Sequence, residues 1–107
     1  MSARQVIANY EALSALTHRM RETAEEGQWE TLIGIERERS TLLESIKQLD
    51  ADTKLDAASS EHKDGLLKSI LADDAQTQVS VKAWMDQFQM LMQSTSQELR
   101  LLKKYGA

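Results

Sequence analysis

The chain has 107 residues, which is enough for one domain with a modest core. It has no cysteine, which excludes disulfides, thiolate metal sites and cysteine nucleophiles. Its formal net charge is −4, and an acidic chain without a basic stripe is a poor binder of phosphate backbones.

No stretch approaches the roughly 20 apolar residues of a membrane span. Met1 to Tyr10 has no uninterrupted apolar run of the kind a signal peptide carries, so the expected setting is cytoplasmic. Proline is absent and there are four glycines. Ala, Leu, Glu, Gln, Lys and Met dominate while strand formers are scattered, which predicts an all-α chain. The expected architecture is an antiparallel bundle of three main helices in one domain over 1–107.

The first helix is predicted over about 3–26, with Ser2 as N-cap. Its apolar stripe runs Val6, Tyr10, Leu13, Thr17, Met20 and Ala24, alternating steps of four and three, with Thr17 alone polar. Ile7 and Leu16 lie beside that seam. Gly27 follows Glu25 and Glu26 and supplies the left-handed position that ends a helix. The second helix, over about 28–49, carries Trp29, Leu32, Ile35, Leu42, Leu43, Ile46 and Leu49 on a wide apolar face. The tight link through Gly27 makes the two helices antiparallel neighbours. Glu36 and Arg39 sit three apart on the second helix, between Leu32 and Leu43, and are expected to pair with each other on its buried face. That pair reads either as a register-fixing ion pair or as a polar anchor beside a peptide groove.

Asp50 to Ser60 breaks the pattern and is the main loop. The third helix is expected from about Glu61, with Ser59 or Ser60 as N-cap. Its stripe runs Leu67, Ile70, Asp74, Thr77, Val81, Trp84, Phe88, Leu91, Thr95, Glu98, Leu102 and Tyr105. Unbroken to Lys104 it would be roughly 66 Å long, against about 33 Å for each of the first two helices. It must therefore fold back or project. Asp73-x-x-Gln76 and Thr95-x-x-Glu98 both resemble capping boxes. The preferred break is near Ser94–Ser96, giving a third helix over 61–94 and a short fourth over 96–105. Arg100, Lys103 and Lys104 in the last turn complement the helix dipole.

Enzyme chemistry is excluded mostly by inventory. There is no His-Glu-x-x-His and no Glu-x-x-His, which removes zincins and di-iron bundles. Gly27, Gly34, Gly65 and Gly106 are isolated, so no loop cradles phosphate. His18 and His62 read as ordinary surface or flank histidines. An all-helical mutase in the manner of chorismate mutases would need several cations pointing into the bundle, and Arg39 alone lies on an apolar face. No cofactor and no metal site is expected.

What remains is apolar surface. Trp84, Met85, Phe88, Met90, Leu91 and Met92 crowd within nine positions, more than one packed face can absorb. Methionine-rich grooves suit amphipathic client helices. The expected contact surface is Trp84, Met85, Phe88 and Met92, with Leu32 and Ile35 opposite, in a groove of the second and third helices. The segment Ser96–Tyr105 is expected to compete for that groove or cover it. The alternative is a self-associating adaptor or structural bundle, with a homodimer formed through the projecting half of the third helix.

Gly27-x-Trp29-x-x-Leu32-x-x-x-Glu36-x-x-Arg39-x-x-Leu42, then Leu67-x-x-Ile70-Leu71-x-Asp73 and the closing Tyr105-Gly106, resemble the flagellar export chaperone family FliT. The likeness runs from about Tyr10 to Gly106. It implies a cytoplasmic chaperone of the flagellar type III export system that binds the C-terminal region of the filament-cap protein FliD. It also implies contacts with the export components FliI and FliJ and, in some members, restraint of the master transcription regulator FlhDC. In such families the last helix is thought to shield the client surface.

Overall fold

The computed structural model describes residues 2–49 and 53–105, and the side chains of Leu49 and Tyr105 lie outside that description. So do Asp50, Ala51 and Asp52 of the expected loop, and the closing Gly106. Three helices make up the fold: α1 (Ala3–Glu25), α2 (Trp29–Leu49) and α3 (Ala57–Tyr105). The all-α expectation holds.

The ends of α1 follow local chemistry. The Gln5 amide donates to Ser2 Oγ at 3.2 Å and the Ser2 amide donates to Gln5 Oε1 at 3.1 Å, a reciprocal capping box. Gly27 ends the turn at φ 71°, a conformation in which a Cβ is strained. The Gln28 amide then reaches back to Thr23 O at 2.9 Å, satisfying one of the carbonyls the helix end leaves open.

α1 is the helix on which both others pack. α2 runs antiparallel to it, as the Gly27 turn requires. α3 runs parallel to it, because Glu11 meets His62 and His18 meets Asp73. The stripe of α1 is buried along its whole length: Val6, Tyr10, Leu13, Thr17, Met20 and Ala24. Val6, Tyr10 and Leu13 join Ile46 and Ile70 in one apolar cluster. Met20 and Ala24 join Leu32 and Ile35 in a second, with Leu16, Trp29 and Val81 at its margin.

A polar layer separates the two clusters. Thr17 is fully buried, and its hydroxyl donates to Leu13 O at 2.8 Å within its own helix. Arg39 spans the bundle from α2 and donates from Nη1 to Asp74 Oδ1 on α3 at 2.6 Å, with Thr17 Oγ1 at 3.5 Å. The expected Glu36–Arg39 pair is therefore not the one formed. Glu36 is exposed, and Asp74 offers Arg39 a fixed carboxylate on another helix while leaving Glu36 hydrated. On α3, Asp73 is buried and accepts from Arg21 at 3.2 Å, with His18 Nδ1 at 3.3 Å. Arg21 also donates to Glu25 at 2.9 Å. These bonds, Glu25 first and Asp73 second, raise the guanidinium pKa.

This layer sets the register of α3, and it can be tested. Arg39→Ala is expected to lower stability by about 1–2 kcal/mol, since the pair is only partly shielded from water. In a double-mutant cycle with Asp74→Ala the two losses should sum to more than the double variant loses. Strict additivity in urea unfolding would show that the pair is not coupled.

α3 departs from expectation at its start. It begins at Ala57, four residues before Glu61, and its cap is Asp56 rather than Ser59 or Ser60. The Asp56 carboxylate accepts from the Ser59 amide at 2.7 Å, and the strong helix formers Ala57 and Ala58 are absorbed into the first turn. The Ser59 amide, and then its hydroxyl, hold the Asp56 carboxyl below its ordinary value of 3.8. A lowered folded-state pKa contributes stability that is present above the unfolded value and lost as pH falls through the folded one. The melting-temperature gap between the native chain and Asp56→Ala should therefore be constant above about pH 5. It should close as pH drops below 3.8.

The preferred break at Ser94–Ser96 does not occur; α3 is helical through it. The reason lies in the threonines. Thr95 Oγ1 donates to Leu91 O at 3.0 Å, so its hydroxyl bonds back into its own helix instead of capping a new one, and Thr77 Oγ1 bonds back to Asp73 O at 3.0 Å in the same way. The Asp73 carboxylate is likewise taken by α1. The 49 residues of α3 span ~74 Å, which matches the 74 Å long axis of the molecule. Ser96–Tyr105 accordingly runs straight on and does not lie over a groove of its own chain.

Candidate functional site

The site begins where α3 leaves the bundle. Through Val81 the α3 stripe is at least partly covered; from Lys82 to Lys104 every residue is exposed. The spacing that buries Ile70 and Thr77 continues unchanged through Trp84, Phe88, Leu91, Leu99 and Leu102. α1 ends and α2 begins at the Gly27 turn, so among the described residues nothing covers the continuation.

Trp84 marks the transition. Its indole lies against the α1–α2 turn, and a Cβ built on Gly27 would sit 2.8 Å from Trp84 Cζ2. It also meets Trp29 edge to face, with ring centroids 5.6 Å apart and planes at 85°. Trp84 nonetheless keeps 44% of its surface in solvent. Beyond it the two tryptophans, Val81, Met85, Phe88 and Gln89 line an open, almost wholly apolar concavity of about 500 Å³. A smaller hollow of about 330 Å³ shares Val81, Met85 and Gln89 and turns onto the flank at Lys82 and Asp86.

The sequence-derived site residues divide into two groups. Trp84, Met85, Phe88 and Met92 are brought together on one exposed face, with Phe88 at 62% exposure. Leu32 and Ile35 are not opposite them. They are 8% and 3% exposed, packed with Met20 and Ala24 beneath Trp29 and Val81, where they support the floor of the concavity without reaching its surface. Arg39 is engaged by Asp74 and Glu36 points to water. Trp29 is not among the sequence-derived contact residues. Its spacing makes it one more apolar position of the second helix, yet it forms a wall of the concavity. Its place one residue past the turn glycine's neighbour was the available signal, because a side chain there sits at the rim of the bundle.

Nothing at this site resembles a reaction centre. The face from Trp84 to Met92 carries one carboxylate, Asp86, and no histidine. Among the described residues no group of three His, Asp or Glu could hold a metal ion. His18 and His62 sit elsewhere, beside Asp73 and Glu11. No helix is long and apolar enough, over the described residues, to cross a membrane. What the arrangement offers is adhesion: a long apolar strip with a pocket at its base.

Residues 7–107 match the protein family described as flagellar protein FliT. The chain belongs to the FliT family. A flagellar protein FliT from Cronobacter sakazakii is 30% identical over 98 residues, covering 92% of this chain and 81% of its own length. No solved structure matches the chain. The stretch matched to the FliT family takes in the Gly27 turn, both tryptophans and the entire projecting half of α3, so the exposed strip lies within the region that defines membership.

Proposed function

We propose that this FliT-family chain is a cytoplasmic chaperone of the flagellar type III export system. In this reading it holds the C-terminal region of a FliD-type filament-cap protein, prevents its premature assembly, and delivers it to the export apparatus. The observation that carries the reading is the uncovered apolar strip of α3, headed by the Trp29–Trp84–Phe88 concavity. An amphipathic client helix can lay its apolar face along such a strip and seat one large side chain in the concavity. Trp84, Met85, Phe88 and Met92 make the contact, the methionines adapting to the client's shape. Leu32 and Ile35 act from below by holding Trp29 and Val81 in place. Arg39 acts as a polar anchor for α3 through Asp74, while Glu36 stays available to a cation on the client.

From the resemblance the proposal extends to delivery through FliI and FliJ and to restraint of FlhDC, with no particular surface assigned to either. Titration calorimetry of the whole chain against the C-terminal segment of FliD from the same source tests the central claim. Saturable one-to-one binding with a negative heat-capacity change is expected, the mark of apolar burial. Absence of heat at every temperature, with the chain shown to be folded, would remove the chaperone reading.

A further inference from the structure

We propose that Met85 and Met92 form an oxidant-responsive modification site, at which a peroxide converts both sulfides to sulfoxides and so switches off the apolar strip of α3. The loss of client binding that follows rests on the chaperone reading; the modification and the loss of apolar surface do not.

The first observation is where the sulfur lies. The chain has five methionines and no cysteine, so no thiol competes for an oxidant and methionine is the sulfur that a peroxide meets. Three of the methionines, Met85, Met90 and Met92, fall within one short stretch of α3. They keep between 50% and 70% of their surface in solvent, whereas Met20 keeps 5%, inside the second cluster. Exposure governs methionine oxidation, so the strip reacts while the core is spared.

The second observation is which of the three lie on the strip. Met85 stands three residues before Phe88 and Met92 four after it, the spacings that set side chains side by side on one helix face. The two methionines therefore bracket the exposed ring. Met85 also lines both hollows at the head of the strip. Met90 is turned about 200° from Phe88 around the helix axis and lines neither of these hollows. It is as open to oxidant as the other two and lies on the wrong side to affect docking, which makes it an internal control.

The chemistry is a two-electron oxygen transfer. The methionine sulfur attacks one oxygen of hydrogen peroxide, an S–O bond forms and the O–O bond breaks. Sulfur is oxidised, the peroxide is reduced, and the departing hydroxide takes the remaining proton to leave as water. The product is a polar sulfoxide in place of a flexible apolar side chain. Burying it against the apolar face of a client helix strips its oxygen of water with no donor in return, which should weaken binding by about tenfold for each sulfoxide. A methionine sulfoxide reductase reverses the step, with a dithiol going to a disulfide and the oxygen leaving as water.

The test uses the full chain, hydrogen peroxide and two readouts that involve no client. Peptide mass mapping during oxidation should show Met85, Met90 and Met92 each gaining one oxygen well before Met20, with helicity unchanged. Retention on a phenyl matrix should fall as Met85 and Met92 react. Each variant is compared with itself before peroxide: Met85→Leu with Met92→Leu should hold its retention, and Met90→Leu should lose it as the native chain does. Calorimetry then compares binding of the FliD C-terminal segment by oxidised and unoxidised chains, with recovery expected after treatment with a methionine sulfoxide reductase. Three results would each overturn the proposal: Met20 oxidised as fast as Met85 and Met92, retention unchanged with both strip sulfoxides in place, or retention lost equally by the Met85→Leu, Met92→Leu chain. An unoxidised, folded chain that does not bind the FliD segment would remove the chaperone reading instead, while mapping and retention still decide the modification.

Discussion

Gly27→Ala is expected to destabilise the fold by about 2–4 kcal/mol, a large effect for so small a change. Two costs act together. Gly27 holds φ at 71°, where a Cβ costs about 1–2 kcal/mol against the following carbonyl. The same Cβ would stand 2.8 Å from the Trp84 ring, so either the indole or the turn must move, which typically costs about 1–3 kcal/mol in packed surroundings. Gly27→Asn separates the two, since asparagine tolerates the left-handed region but still carries a Cβ. The Asn variant should recover part of the stability lost by Ala while still displacing Trp84. Urea unfolding reads the first effect and tryptophan fluorescence the second. Equal stability of Gly27→Ala and the native chain would mean that the turn and the indole are not held as described.

The second large effect separates adhesion from support. Phe88→Ala should leave the folding stability of the single chain within about 0.5 kcal/mol, because Phe88 projects from the bundle. It should nonetheless weaken binding of the FliD C-terminal segment by more than tenfold, as loss of a central aromatic anchor commonly does. Trp84→Ala should do both: it removes the ring that packs on Gly27 and Trp29 and also a wall of the concavity. Ile35→Ala should be the reverse of Phe88→Ala. A side chain buried in the second cluster costs about 2–4 kcal/mol when truncated, with binding altered only through the floor it supports. Calorimetry paired with urea unfolding of the three variants reads the distinction. A fall in stability for Phe88→Ala equal to that for Ile35→Ala would mean that the strip is core.

Much of this architecture is written in one-dimensional spacing. The α1 stripe, the Gly27 turn and the antiparallel α1–α2 pair all follow from local rules, and Val6, Tyr10, Leu13, Thr17, Met20 and Ala24 are buried as their periodicity requires. Local rules mislead where a side chain has two partners to choose between. Thr95 has the chemistry of a cap, yet its hydroxyl bonds back to Leu91. Arg39 has Glu36 one turn away, yet it crosses to Asp74. Sequence spacing names the nearer candidate, whereas the fold offers a fixed carboxylate at lower desolvation cost.

The residues of the exposed strip show the same division. Trp84, Phe88 and Leu91 obey the α3 period no differently from Ile70, so periodicity alone cannot separate covered residues from bare ones. By itself the sequence determined that this chain is helical, which side chains share a face, and that α3 outruns its neighbours, because repeat spacing and helical rise depend only on the backbone. The tertiary structure decided which part of that face is buried and which part stays bare. Coverage is a property of what lies alongside: α1 and α2 are joined at the Gly27 turn, and α3 continues past that end of the pair with its apolar strip exposed.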